Sequence, residues 1–525
     1  MARVCDTLCM GSHRDRRKTA VRPLFGSISA KPALHALIGL LVAVCAWAIS
    51  SPPRSTPDEI LHIANIWCAN SPDGVQCLEK TRNAAGEQIG VFGYRPDSCF
   101  WRDATLAASC ADSRGTSSTF LLMQSETYYH PLFQKTMNLF VGQDGSISIL
   151  LMKLINVAIF SGLLMTLIAF APVSVSRGAL SAISLTISPL SVWLIASINP
   201  SGWGISGLAL IWAYLIWVGK LIRSRRGATP RTTLLFCAVT GLVISLVLAV
   251  GARQDSMLFA IFILATISIC EIADVFFSKS VRTLRYIATV FLAVAGMLVF
   301  LIWFTSGFGF SVSRTWEPLN PSGPSLSIWF TSWLTHFPLP FLDAYGYGGL
   351  GENEIRVSIM TTITSLLVLG GGLAFAAQRG SWRQLTSLAI LGLSFLAMLW
   401  FASLEMDLYN VPGRYVIPLF PAIVGTYIYY SRSEVQFFDV LRLRHIAIGM
   451  LGIVNALSLY AVVERYSAGS SAGLRVIPVR FDEWWWDFLP IGPNGVVVMG
   501  SVSWVVFLVY AFRFLDQRKL REANA

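Results

Sequence analysis

Apolar runs of about 20 residues recur from residue 33 to residue 514, and each is long enough to cross the ~30 Å hydrocarbon core of a bilayer. Two clear examples are WGISGLALIWAYLIWVGKLI (203–222) and TLLFCAVTGLVISLVLAVGA (233–252). Hydrophobic residues make up 54% of the chain and charged residues 13%, whereas soluble domains carry about 25% charged residues. The composition therefore excludes a soluble globule and predicts an all-α polytopic membrane protein.

The hydropathy pattern predicts about twelve transmembrane helices. The third is interrupted by Pro189, Asn199 and Pro200, and such a break is tolerated at membrane depth only where it faces protein or a water-filled cavity. The predicted spans lie near 33–50, 146–171, 178–197, 203–222, 232–251, 256–277, 284–304, 356–377, 384–403, 412–430, 445–463 and 495–514.

The placement of Lys and Arg predicts the orientation. Most of the 40 basic residues fall in the N-terminal tail (1–32), the C-terminal tail (515–525) and alternate connections between spans. Both tails are therefore predicted to be cytoplasmic, on either side of a membrane domain at 33–514. The first apolar run is too long for a cleavable signal peptide and predicts an uncleaved signal anchor. The net charge of +11 then indicates contact with anionic headgroups and does not favour a nucleic-acid partner.

Three predicted extracytoplasmic loops are long: 51–145, 305–355 and 464–494. Long loops on a membrane scaffold usually carry function. The last loop contains FDEWWWDF, whose three tryptophans either form an interfacial aromatic belt or offer a platform for a sugar ring or a lipid.

Four cysteines fall in the first long loop, and an even set in one outer loop predicts two disulfides in an oxidising compartment. Three connectivities are possible, and we favour the one that joins Cys68 to Cys77 and Cys99 to Cys110. Free thiols in a reducing compartment are the alternative. The spacing does not match a zinc site. The candidates are Cys68, Cys77, Cys99 and Cys110.

Ionisable residues gather where predicted spans meet the outer loops. Charge beside hydrocarbon is costly, and such residues tend to mark sites or pathways. The alternatives are ordinary: Asp58 and Glu59 cap a helix beginning near Ile60, and the arginines anchor their spans at the interface. The gathered residues are Asp58, Glu59, His62, His130, Arg253, Asp255 and Arg414, with Lys153 about one-third of the way into the second span.

These residue types suit the transfer of a sugar from a lipid phosphate to a hydroxyl group. That reaction needs a base for the hydroxyl proton, for which Asp58 or Glu59 is suited, with His62 as its orienting partner or as a phosphate contact. It also needs cations that stabilise the departing phosphate. The predicted substrate- or phosphate-binding residues are Arg253, Asp255, Arg414, Lys153 and His130.

Four motifs in order resemble a bacterial family of polytopic membrane proteins, Domain of Unknown Function 2142, over roughly residues 35–515. They are PDEILH (57–62), NPSG (199–202), RQDS (253–256) and VPGRYVIPLFP (411–421). The second departs from the more usual NPD, so a carboxylate expected there is absent.

That family is similar in layout to the C-type glycosyltransferases, which use polyprenyl-phosphate sugars and hold an acidic pair at the start of the first outer loop in the active site. The resemblance implies a bacterial plasma membrane protein that transfers a sugar from a polyprenyl-phosphate donor to an envelope glycan or lipid. Its partners are then this donor and membrane lipid. The metal requirement stays open, with a divalent cation as the candidate cofactor.

Two other function classes fit the same pattern. A transporter or flippase of lipid-linked glycan also has many spans and broken helices, and a non-catalytic assembly factor for the envelope is the third class. The sequence contains no clear internal repeat, and its polar signals lie near one membrane surface, which favours an enzyme.

Overall fold

The described residues of the computed structural model are helical and contain no β-strand. They comprise 31–67, 69, 100, 103, 105–108, 131–223, 230–277, 342–343, 345, 355, 357–405, 413–415, 417–433, 435–469, 484–486 and 488–524.

The helices alternate with short connections throughout these residues. Three 3₁₀ turns lie at Gly413–Tyr415, Ile417–Leu419 and Phe437–Asp439. The α-helices are α1 (Lys31–Ile49), α2 (Glu59–Trp67), α3 (Pro131–Asn138), α4 (Gly145–Phe170), α5 (Val173–Thr186), α6 (Pro189–Ile195), α7 (Pro200–Arg223), α8 (Pro230–Ala252), α9 (Gln254–Phe277), α10 (Ile359–Ala377), α11 (Trp382–Glu405), α12 (Phe420–Tyr429), α13 (Leu441–Ala468) and α14 (Pro493–Asn524).

Eight helices in the described residues are long and apolar enough to cross a membrane, or nine if the bent pair α5–α6 counts as one span. This is fewer than the twelve predicted. The span predicted at 284–304 lies outside the described residues. The span predicted at 384–403 is present as the helix α11, which is not among the eight counted helices. The span predicted at 412–430 is wrong as a single helix, because two 3₁₀ turns take up its first part and leave α12 only ten residues. Ten residues rise about 15 Å, half of a bilayer core.

The predicted weakness of the third span is confirmed. Helices α5 and α6 meet at an angle of 107°. Pro189 opens α6, and the Ser188 hydroxyl accepts a hydrogen bond from the Ser191 backbone N–H at 3.2 Å, which caps the new helix. Every residue of α6 is buried, so protein rather than lipid surrounds the break, as its polar backbone groups require.

The first and last long helices, α1 and α14, pack closely along their length. A Cβ added at Gly39 of α1 would lie 2.8 Å from the Phe507 backbone nitrogen and 2.9 Å from the Ser503 carbonyl oxygen, both on α14. Small residues permit such close backbone approach between membrane helices. Trp47 then donates its indole N–H to Asn455 on α13 at 2.9 Å, which adds a polar contact to the same bundle.

An ion-pair network, the Asp516 network, ties four elements together at one end of the bundle. Arg177 of α5 pairs with Asp439 of the third 3₁₀ turn and, at 3.1 Å, with Asp516 of α14. Arg444 of α13 donates to Asp516 at 2.6 Å. Arg518 donates to the carbonyl oxygens that end α4, which satisfies acceptors that no helical N–H can reach.

The disulfide prediction falls on Cys68, Cys77, Cys99 and Cys110, which lie outside the described residues. Cys45, Cys237 and Cys270, which the structure does describe, are free thiols.

We expect Gly39→Ala to destabilise the protein by about 1–3 kcal/mol, because the new methyl group would meet backbone atoms of α14 that cannot move aside cheaply. Thermal unfolding of the purified protein in detergent measures the change.

Gly162→Ala on α4 is the matched control, since nothing lies within 4 Å of its added Cβ. There alanine should leave stability equal or raise it by about 0.5–1 kcal/mol, the usual gain over glycine inside a helix. Equal effects at both positions would contradict the close α1–α14 packing.

Candidate active site

In the segment that joins α1 to α2, residues 50–57 are buried although they form a loop. Ser50, Ser51 and Ser55 have no exposed surface, and Thr56 retains 3%. Buried polar groups need hydrogen-bond partners, and side chains of distant elements supply them here. The donors are Trp193 to the Ser51 hydroxyl (3.2 Å), Tyr466 to the Ser55 carbonyl (2.8 Å) and Asn199 to the Pro57 carbonyl (2.6 Å).

The tryptophans of the last long loop support the same segment. The indole N–H groups of Trp485 and Trp486 both donate to the Ile49 carbonyl at the end of α1, at 3.3 Å and 2.9 Å. Both side chains are buried. Neither a lipid-facing belt nor an open sugar platform fits these two residues, because their rings pack inside the protein.

Glu59, at the start of α2, is fully buried, and both of its carboxylate oxygens are engaged. One oxygen accepts from the backbone N–H groups of Ser55 and Thr56, at 3.1 Å and 3.3 Å. The other accepts from the Ile198 N–H at 3.2 Å and lies 3.5 Å from the Lys153 ammonium of α4. The prediction of a helix start here is correct to within one residue. Glu59 therefore shapes the loop and compensates the charge of Lys153.

Asp58 differs from its neighbour in exposure and backbone conformation. Its carboxylate accepts a hydrogen bond from Arg414 at 2.8 Å, and its side chain keeps 21% of its surface exposed. The Asp58 φ angle of 56° lies in the left-handed region, which is uncommon for residues other than glycine. Such conformations cost on the order of 1–3 kcal/mol and persist where the surroundings impose them. The loop thus presents this carboxylate to Arg414.

A second arginine joins this pair through an aromatic ring. The Tyr415 ring lies 4.1 Å from the Arg253 guanidinium carbon and 5.4 Å from that of Arg414. Arg253 also donates to Asp255 at 3.1 Å, and Asp255 accepts from the Ser256 N–H at 2.8 Å. Guanidinium groups are attracted to aromatic faces at these distances. Two arginines are thereby held near one accessible carboxylate.

Asp343, in the 305–355 loop, positions the turn that carries Arg414. Its carboxylate accepts a hydrogen bond from the Gly413 backbone N–H at 2.7 Å. Burial raises the pKa of Asp343, while this hydrogen bond and the Arg414 charge oppose the change. The contact brings a loop from the middle of the chain to the same site.

His62 of α2 is buried and lies against Phe133, with ring centroids 6.3 Å apart. Burial, together with the positive charges of Arg253 and Arg414, lowers the pKa of His62 to about 3. The imidazole is therefore neutral near pH 7. A neutral ring suits a hydrogen-bonding role, and it does not supply positive charge to a phosphate.

The structure thus brings most of the predicted site residues to one end of the helices, which we call the Asp58 end. Asp58, Arg414, Arg253 and Asp255 form a linked set, with Glu59 and Lys153 behind it and His62 beside it. His130 lies outside the described residues. No group of three or more potential metal-ligating His, Cys, Asp or Glu side chains occurs within the described part of the chain.

Sequence reasoning missed two contributors to this site. Tyr415 directly follows Arg414 in the GRY motif, so the sequence shows that these two residues are adjacent. It does not show that the Tyr415 ring lies between Arg414 and Arg253. Asp343 carried no local signal, because its partner, Gly413, is distant in sequence. Asn199 of NPSG proved to be a loop anchor, which gives that motif a role without the missing carboxylate.

Comparison with known proteins gives one match. The model of the family described as predicted membrane protein, DUF2142, matches residues 41–423. No curated protein and no solved structure matches the chain.

We expect Glu59→Gln and Lys153→Met each to lower stability by about 3–5 kcal/mol, because each leaves a buried charge without its partner. The double variant should lose clearly less than the two single losses together, since it removes both charges. Thermal unfolding in detergent measures all three variants.

Lys31→Met, at the exposed start of α1, is the control for the loss of a lysine and should leave the unfolding temperature unchanged. Strict additivity of the Glu59 and Lys153 effects would show that the two side chains are not coupled.

The pKa of His62 implies a pH dependence of stability. Because its folded-state pKa is lowered from 6.5 to about 3, the unfolded chain binds more protons between these values, so stability falls as pH drops through this window. We expect His62→Gln to flatten the fall in unfolding temperature between pH 6.5 and pH 4. His445→Gln, at an exposed position on α13, controls for the loss of an imidazole and should keep the wild-type slope. An unchanged slope in His62→Gln would contradict the burial of a neutral imidazole.

Proposed function

Because the chain belongs to the DUF2142 family of predicted membrane proteins, a multi-pass membrane scaffold is the premise from which we propose its chemistry. We propose that it is a glycosyltransferase-like enzyme that transfers a sugar from a polyprenyl-phosphate donor to a cell-envelope glycan or lipid. One observation carries this proposal: an accessible carboxylate, Asp58, lies against Arg414, with Arg253 beside it at the same end of the helices.

In this reaction the acceptor oxygen forms a bond to the anomeric carbon of the donor sugar as Asp58 takes the hydroxyl proton. The bond between that carbon and the phosphate oxygen breaks, and its electron pair stays on the phosphate. Arg414 and Arg253 stabilise the charge that develops there through charge-assisted hydrogen bonds. A lipid-linked donor accounts for a site at the end of the membrane helices and for the lack of a glycine-rich nucleotide loop in the sequence.

The contacts of the acidic pair support a division of roles. Asp58 is the base, because its carboxylate is partly exposed, whereas both oxygens of Glu59 are occupied by backbone N–H groups and Lys153. Glu59 is then a positioning residue that holds the loop. Lys153 adds positive potential from behind the site, and the neutral His62 is available to orient the Asp58 region.

The proposal includes a setting for the reaction. It places the Asp58 end at the outer face of a bacterial plasma membrane, with both termini cytoplasmic and a multi-pass layout like that of C-type glycosyltransferases. Membrane lipid and the polyprenyl-phosphate sugar are its partners. A divalent cation remains the candidate cofactor, and chelation in the transfer assay tests for it.

A transporter or flippase of lipid-linked glycan is the second candidate, and the 107° break between α5 and α6 favours it, since broken helices form binding sites in transporters. An assay in liposomes separates the two activities. A new glycosidic bond supports transfer, whereas movement of intact lipid-linked sugar between leaflets supports transport.

We expect Asp58→Asn to reduce transfer from polyprenyl-phosphate sugars by about 10²–10⁴-fold, the usual contribution of a general base. Asparagine tolerates the left-handed backbone and retains a hydrogen bond to Arg414, so folding should be preserved. Transfer by purified protein and the envelope glycans of cells carrying the variant are the two measurements.

Asp144→Asn is the matched control, because Asp144 caps α4 through the Ile147 N–H and asparagine caps equally well. That variant should transfer at the wild-type rate. Wild-type transfer by a folded Asp58→Asn protein would refute Asp58 as the base.

A further inference from the structure

A small cavity lies at the break between α5 and α6, and it takes no part in the proposed reaction. Its volume is about 20 Å³, and residues of α5, α6, α10, α13 and α14 line it. Asn455, one of these residues, lies about 20 Å from either end of α13, which is near the middle of that helix. The cavity therefore lies inside the membrane part of the bundle.

The break leaves the last carbonyl groups of α5 without helical partners. The helical hydrogen bonds of α5 end with the N–H of Ile187. In a continuous helix the carbonyls of residues 184–186 would accept from the N–H groups of residues 188–190. Pro189 has no N–H, and the chain bends by 107° at this point. Because Ser184 and Ile187 line the cavity, these acceptor oxygens lie at its edge.

Three polar side chains of the lining also offer oxygen lone pairs. The hydroxyl groups of Ser184 and Ser365 each donate to the carbonyl four residues earlier in the same helix, at 2.8 Å. Their hydrogens are thus used, and their lone pairs remain available as acceptors. The side-chain oxygen of Asn455 accepts from the Trp47 indole at 2.9 Å and keeps a second lone pair. All three lining side chains are buried.

The electrostatics of the cavity favour a cation. The C-terminal end of a helix carries partial negative charge, and α5 ends here. The opposite charge at the start of α6 is compensated by the Ser188 hydroxyl, which accepts from the Ser191 N–H. Carbonyl, hydroxyl and amide oxygens are ligands for hard cations. The ends of broken helices coordinate Na⁺ in other membrane proteins.

The size and charge of the lining narrow the choice of ion. A volume of about 20 Å³ holds one small occupant, since a single water needs about 10–15 Å³. Among the described residues that line the cavity there is neither a basic side chain nor a carboxylate. Burying a charge without an opposite charge becomes more costly as the charge rises. A singly charged ion is therefore favoured over a divalent one.

We propose that this cavity, which we call the α5 break site, binds one alkali-metal cation of the size of Na⁺. Its ligands are the hydroxyl oxygens of Ser184 and Ser365, the side-chain oxygen of Asn455 and carbonyl oxygens of residues 184–186. The ion compensates the acceptors that the break leaves and joins α5 to α10 and α13. This site is separate from Asp58, so its test does not depend on sugar transfer.

The test measures Na⁺ binding by the purified wild-type protein in detergent. Thermal unfolding is followed in sodium chloride and in choline chloride at equal ionic strength, and radioactive ²²Na⁺ gives the affinity and stoichiometry. We expect saturable binding of one Na⁺ per chain and a rise in unfolding temperature with sodium but not with choline. Ser184→Ala and Ser365→Ala should each weaken Na⁺ binding at least about tenfold, since even changes around the ligands of a metal site cost that much.

Ser394→Ala is the matched control. Ser394 is buried on α11, does not line the cavity, and donates to the carbonyl four residues earlier at 2.8 Å, as Ser184 and Ser365 do. This variant should bind Na⁺ with wild-type affinity.

Three results would overturn the proposal. Equal stabilisation by sodium and choline would show a general salt effect, and a lack of saturable ²²Na⁺ binding would leave only water in the cavity. Equal affinities in the cavity variants and the control would place a sodium site elsewhere. If the cavity variants do not fold, ²²Na⁺ binding to the wild type still decides between an ion and water.

Discussion

The buried carboxylate of Glu59 is the interaction on which the rest of the Asp58 end depends. It accepts hydrogen bonds from three backbone N–H groups in two segments and lies 3.5 Å from the Lys153 ammonium inside α4. These contacts allow a loop to be buried, because a loop away from water must find partners for its own polar groups. The conformation of Asp58, the preceding residue, follows from that loop. A structural charge thus positions a neighbouring charge that is open to chemistry.

Charged groups lie mainly at the two ends of the bundle, with apolar packing between them. At one end Asp58 and Arg414 share a partly exposed ion pair with Arg253 nearby. At the other end the Asp516 network, and a hydrogen bond from the Tyr430 hydroxyl to Glu271, join elements that are far apart in sequence. This distribution follows from the cost of placing charge in hydrocarbon. The two ends also differ in their ion pairs: the first leaves the Asp58 carboxylate partly exposed, whereas the second joins several elements through the Asp516 network.

Sequence reasoning succeeded where a local pattern has one physical meaning. Long apolar runs predicted the helices, and the prolines around 189–200 predicted the broken span. The structure also brings together Asp58, Arg253 and Arg414, which the sequence had singled out for their charge beside apolar runs. It failed where the outcome depends on distant partners. The short α12 was predicted as a full span, because residues 416–419 before it continue its apolar pattern without a break. In the sequence Trp485 and Trp486 look like residues of the membrane–water interface. In the structure their indole N–H groups donate hydrogen bonds to the Ile49 carbonyl at the end of α1.

The sequence by itself determined that this chain is a helical membrane protein and which charged residues adjoin its apolar segments, because hydropathy and the cost of buried charge act locally along the chain. Only the tertiary structure decided the difference between two adjacent carboxylates. Asp58 and Glu59 have nearly the same chemistry, but Glu59 meets backbone N–H groups of two segments and Lys153, whereas Asp58 meets Arg414 and solvent. These partners come from positions up to 356 residues away, and no local pattern encodes such a separation.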